Sequence, residues 1–124
     1  MALNPYQKYQ QQSIMTMTQG EMLIKLYDEV IKQLNAVKQF NVEKDYEAAN
    51  FASRKAQKIL HYLDSTLDFQ YEVSSNLSAL YEYFLHMLVE ANLHKKNEPI
   101  DEVLPMICEL RETFIQADRT ARSN

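Results

Sequence analysis

Apolar and polar residues alternate with helical period along most of the chain. Thr18 followed by Glu21 is a capping-box pair that marks a helix start. Leu23, Leu26, Tyr27, Val30, Leu34 and Val37 then recur at three- and four-residue steps, which predicts a first helix over about 19–40. After the polar Asn41–Lys44, a second helix over about 46–65 is carried by Ala49, Ala52, Ala56, Ile59, Leu60 and Leu63. Its first half is rich in small residues, so a neighbouring element can approach closely there. The stretch STLDFQYE leads to a third helix over about 72–95 on Leu77, Leu80, Tyr81, Phe84, Leu88 and Ala91. Pro99 suits the first turn of a fourth helix over about 99–118, built on Ile100, Val103, Leu104, Ile107, Leu110 and Phe114. Pro105 removes the bond to the carbonyl of Asp101, so a kink or a late start is expected there, and 120–124 should fray.

Four amphipathic helices of similar length joined by short connections predict an all-α fold, an antiparallel up-and-down four-helix bundle over 18–119. Residues 1–17 are different. Gln7, Gln10, Gln11 and Gln12 stand among Tyr6, Tyr9, Ile14, Met15 and Met17, a polar stretch studded with large apolar side chains. It reads as a docking segment, either extended or a short fifth helix, that lies on something without joining a regular core.

The chain's 124 residues fit one domain with one core, and 46% hydrophobic with 24% charged residues is ordinary for a globular chain. A single glycine changes the picture more: phosphate-cradling loops, dinucleotide fingerprints and turn-rich β folds need glycine where φ is positive. Those classes are excluded. A net charge of −4 gives no general attraction for nucleic acid or anionic lipid. The N-terminus has no basic-then-apolar signal, and no apolar run reaches the roughly 18 residues of a membrane span, so a cytoplasmic location without membrane insertion is expected. Cys108 is the single cysteine, which excludes an internal disulfide and Cys-rich zinc sites.

Catalytic and metal chemistry find little support. Glu82, His86, Glu90 and His94 fall four apart on one stripe of the third helix, but di-metal bundles use Glu-x-x-His pairs that project inward. At about 100° per residue this stripe lies away from the core line centred on Phe84, as a solvated face would. His61 reads as a surface or boundary residue. Cys108 and the serines have no nearby His and acid, no nucleophile elbow and no glycine turn for an oxyanion hole. The expectation is a non-enzyme that needs no cofactor and no metal.

The anomaly is hydrophobic. Leu77, Tyr81, Phe84 and Leu88 already fill an inward line on the third helix, yet Leu85, Val89 and Leu93 make a second apolar line beside it. Either two neighbours bury this helix, or its flank is a groove for an apolar helix of another chain. Eight tyrosines and six methionines suit such an adaptable surface, and they suit a core as well.

NPYQKYQ at 4–10, LYDE at 26–29, STLD at 65–68, NLSALYEYFLHMLVEAN at 76–92 and ELRETF at 109–114 follow one another in an order and spacing that resembles the FliS family of flagellar export chaperones. The resemblance spans about 4–117. Family members often carry proline at Gln19, glycine at Glu29, glycine near Gln70 and Tyr71, and tryptophan at Phe114. The resemblance implies a cytosolic chaperone that binds the disordered C-terminal segment of flagellin, prevents premature polymerisation and delivers it to the flagellar export gate. It also implies that Pro5, Tyr6, Tyr9 and Ile14 belong to an N-terminal segment that folds over part of the client groove. The expected partner-binding set is Tyr6, Tyr9, Ile14, Tyr81, Leu85, Leu88, Val89, Asn92 and Leu93, with the alanine-rich face of the second helix opposite. An uncovered groove would also favour a homodimer when client is absent. A helical adaptor for another partner and a bundle metalloenzyme are the alternative readings.

Overall fold

A computed structural model describes residues 17–123, and these form four helices. They are α1 (Gln19–Val42), α2 (Tyr46–Ser65), α3 (Glu72–His94) and α4 (Glu98–Ser123). Each helix packs on its chain neighbour, and α1 also packs on α4, which closes an up-and-down ring. The expectations for 1–16, including a fifth helix, lie outside the described residues.

Local chemistry sets the helix ends. The Thr18 hydroxyl accepts from the Glu21 amide at 3.1 Å, and Asp45 caps α2 by accepting from the Ala48 amide at 3.2 Å. The tight links after α1 and α3 need a left-handed residue, and lysine supplies it in both: Lys44 has φ 60° and Lys95 φ 55°. The one glycine is used elsewhere. At Gly20 the Asp118 carboxylate of α4 lies where a Cβ would stand, so the first turn of α1 approaches α4 closely.

The late start and the frayed end expected for the last helix do not occur. α4 begins at Glu98, continues through Pro105 without interruption, and runs on to Ser123. No late start occurs because Ile100, Val103 and Ile107, on both sides of the proline, are buried. Residues 120–123 stay helical where fraying was expected. Arg122 pairs with Glu21 of α1 and with Asp118 one turn back at 3.2 Å, which ties the end of α4 down.

The core is one cluster drawn from all four helices, including Tyr27, Leu34, Leu60, Phe84, Leu88, Ile100 and Ile107. Ala49, Ala52 and Ala56 let α1 and α2 form the most extensive packing of any pair, whereas the α3–α4 seam is the least extensive of the four that close the ring. Polar ties fix the seams. Lys38 pairs with Asp101 at 2.6 Å and Arg111 with Asp28, both between α1 and α4, and Asn41 of α1 donates to Asn97 in the link just before α4 at 2.8 Å.

Candidate functional site

On α3 the sequence places a second apolar line next to the core line, and the structure shows what each line touches. Tyr81, Phe84, Leu88 and Ala91 point into the bundle. Leu85 is half-buried at the α2 seam, Val89 is 49% exposed and Leu93 is 68% exposed. Four-residue steps keep these three on one side of α3, and no helix covers that side beyond Leu85. The second line is therefore a surface feature toward the C-terminal half of α3, not a core face shared by two neighbours.

Asn92 does lie beside it. Its side-chain amide donates to the Asn50 side-chain oxygen of α2 at 2.9 Å, and further along the same seam the Ser78 hydroxyl donates to Asp64 at 2.7 Å. These two bonds hold α2 and α3 in antiparallel register and form the polar edge of the apolar stripe.

Three expectations about this surface are corrected. Tyr81 and Leu88, expected at its edges, are each 1% exposed and belong to the core. The physical reason is angular: each falls on the inward line with Phe84, and Tyr81 is further fixed by a 2.5 Å hydrogen bond to the Tyr27 hydroxyl. The alanine face of α2 does not stand across an open groove either, because Ala49, Ala52 and Ala56 are buried in the core. Tyr6, Tyr9 and Ile14 lie outside the described residues.

Sequence reasoning missed several exposed side chains. Phe51 is 63% exposed and Tyr62 52% exposed, both on the outer side of α2, with the Lys55 ammonium 4.8 Å above the Phe51 ring. Phe69, Tyr71 and Val73 are exposed around the link from α2 to α3. The available signal was that these aromatics fall off the core period of α2 or within the link. A cleft of about 440 Å³ opens between the first turns of α1 and the last turn of α2, lined by Met22, Leu23, Leu26 and Tyr62 among others. It lies at the end of the bundle where residue 17 enters α1. A smaller cleft of about 240 Å³ separates α3 from α4 over Leu80, Phe84, Met106 and Leu110.

The stripe of Glu82, His86, Glu90 and His94 is turned to solvent, with His94 and Glu90 3.2 Å apart. Among the described residues no group of three or more His, Cys, Asp or Glu side chains could hold a metal ion. Among the same residues no helix is long and apolar enough to cross a membrane.

The fold and this flank together define an all-helical bundle whose distinctive feature, among the described residues, is an apolar surface. The family model of the flagellar protein FliS matches residues 2–121, and the chain belongs to that family. The flagellar secretion chaperone FliS of Bacillus subtilis (strain 168) is 33% identical over 121 residues, which cover 98% of this chain and 91% of that protein. The family is one of chaperones, not of enzymes.

Proposed function

We propose that this protein is a cytoplasmic export chaperone that holds the C-terminal segment of flagellin as a helix against the flank of α3, keeps it from polymerising, and presents it to the flagellar export gate. The observation that carries this reading is the stripe Leu85–Val89–Leu93, which stands outside a core already closed by Tyr81, Phe84 and Leu88. A disordered segment loses ordering entropy when it binds, so its partner must offer apolar area along several turns. A single helix flank gives that area without any moving part. Family membership supports the flagellar context, and nothing in the reading requires ATP, a metal or another cofactor. In the absence of client the same stripe is available to a second copy of the chain.

Titration with flagellin's C-terminal segment tests the reading, with the variant Val89→Ser/Leu93→Ser as its control. Both side chains are largely in water already, so the variant should keep the wild-type melting temperature within a few degrees and lose at least about tenfold in affinity. A folded wild-type protein that ignores the segment at high micromolar concentration rejects the reading. A double variant that unfolds would return these residues to the core.

A further inference from the structure

The outer face of α1 and α2 lies on the other side of α2 from the apolar stripe of α3. At the end where residue 17 enters α1 it holds the cleft of about 440 Å³, lined by Met22, Leu23, Leu26 and Leu63 with Tyr62 at its rim. Helix period decides what else shares this face. Steps of four, three and four residues place Phe51, Lys55, Lys58 and Tyr62 on one outward ridge of α2, and all four are exposed. On α1, Lys25 falls between the cleft residues Met22 and Leu26, and Lys32 stands two turns farther along the same side; both are exposed. The two helices run antiparallel, so both rows start at the cleft and lead away from it side by side. An apolar cleft is thus continued by four lysines, two on each wall.

These lysines have no carboxylate of their own. Lys38, Arg111 and Arg122 are each paired, whereas among the described residues Lys25, Lys32, Lys55 and Lys58 pair with none. Lys55 lies instead over the Phe51 ring, 4.8 Å from its centre. The acids along this stretch are engaged elsewhere: Glu29 accepts from Gln33 at 2.8 Å, Asp28 pairs with Arg111 of α4, and Asp64 accepts from Ser78 of α3. A local surplus of cations stands out in a chain of net charge −4. Residues 1–17 carry Lys8 and no Asp or Glu, so the segment that enters beside the cleft does not supply the missing charge.

We propose that the outer face of α1 and α2 docks an amphipathic helix of a partner protein that carries carboxylates along both edges of its apolar stripe. The stripe seats in the cleft and against Tyr62 and Phe51, whose rings are rigid contact area already in place. One edge meets Lys25 and Lys32, the other Lys58 and Lys55. Neighbouring helix axes lie about 8–10 Å apart and a helix with its side chains is about 10–12 Å wide, so one helix laid along the seam touches both walls at once. The cleft supplies affinity, and the lysines supply encounter rate and selection of an acidic partner. This site is separate from the stripe of Leu85, Val89 and Leu93 and does not rest on the client reading.

The test uses the full chain, its Lys25→Glu/Lys58→Glu variant, and two synthetic amphipathic helices with the same apolar stripe, edged on both sides with glutamate or with lysine. The wild-type chain should bind the glutamate-edged helix at least about fivefold tighter. The preference should invert in the variant, which keeps its helical circular dichroism because both positions are exposed, and should fade toward about 1 M salt, where screening reaches about 3 Å. Tyr62→Ser should weaken both helices and leave their ratio as it was. Equal affinities in the wild type, no inversion in the variant, or no loss with Tyr62→Ser overturns the proposal. A DNA duplex that binds tighter than the glutamate-edged helix also overturns it, since the face would then take polyanions at large. Deleting 1–15 examines the chain's own N-terminus: a gain of more than about fivefold on truncation seats that segment in the cleft, and the proposal fails. Flagellin's C-terminal segment separates this site from the client surface. Bound to the flank of α3, it should leave the affinity for the glutamate-edged helix unchanged, and mutual exclusion of the two would merge the sites and reject the proposal. A chain that ignores the flagellin segment yet still selects the glutamate-edged helix keeps this proposal and loses the client reading.

Discussion

The Tyr27 and Tyr81 hydroxyls meet at 2.5 Å in the middle of a hydrocarbon core, joining α1 to α3 across the bundle. Either hydroxyl can donate. Burial without a partner costs a hydroxyl about 1–3 kcal/mol, so each phenol here is acceptable because the other is present. Tyr27→Phe or Tyr81→Phe alone should lower stability by about 1–2 kcal/mol in denaturant titration, and the double variant should recover most of that loss. Additive losses would show that the two hydroxyls do not depend on each other. The pair also has a pH signature. Burial, reinforced by the hydrogen bond to Tyr81, pushes the Tyr27 phenol far above its usual value, and burial likewise pushes Tyr81 up. A raised phenol pKa means that the folded state keeps protons that the unfolded chain releases. The stabilisation is whole below about pH 10 and is lost above it, at about 1.4 kcal/mol per pH unit for each tyrosine. The double phenylalanine variant should lose stability less steeply above pH 10 than the wild type; parallel curves would show that the tyrosines do not set the alkaline limit.

The helices show which kinds of information a single sequence carries. Period and the polar Asn41–Lys44 link alone place α2, because its apolar line is unbroken, and the Asp45 cap is what the structure adds. The C-terminus of α4 was not legible, since Arg122 reaches back to Glu21 across a long stretch of chain and no local pattern records that contact. On α3 the two apolar lines were legible as lines. Their edges were less so: the period already put Tyr81 and Leu88 on the inward line with Phe84, and the expectation that they also border the client surface fails because both are buried. The exposure of Phe51 and Tyr62 was hidden for a related reason: aromatic residues raise the apolar count of α2 without lying on its buried side. The connections carry a cost that the near absence of glycine foreshadowed. Lys95 ends α3 in the left-handed region at φ 55°, donating its amide to the Ala91 carbonyl, and a side chain there is unfavourable by about 1 kcal/mol. Lys95→Gly should therefore raise stability by about 0.5–1 kcal/mol, less whatever the Lys95 contact with the Tyr46 ring, 5.0 Å away, now contributes. A destabilised glycine variant would mean that this cation–π contact outweighs the backbone strain.

At the scale of the whole molecule, the bundle is closed by packing and polar ties, and among the described residues the apolar flank of α3, the α1–α2 cleft and the smaller α3–α4 cleft remain open. The flank of α3 and the α1–α2 cleft lie on different sides of α2, and residue 17 enters α1 beside the cleft. Tyr6, Tyr9 and Ile14 give the preceding segment more apolar surface than a solvated tail needs. We propose that this segment acts as a lid on the client surface, displaced only by a client of higher affinity. Deleting 1–15 should then increase self-association, because the stripe is freed, and should leave the affinity for flagellin's C-terminal segment unchanged or raise it. Calorimetry on the truncated and complete chains decides between the lid and its opposite, in which Tyr6 and Tyr9 clamp the bound segment from outside. A large loss of affinity in a truncated protein that keeps its helical circular dichroism would reject the lid and make those tyrosines direct client contacts. Unchanged self-association with unchanged affinity would seat the segment elsewhere, and the Met22–Tyr62 cleft is the nearest apolar place for it.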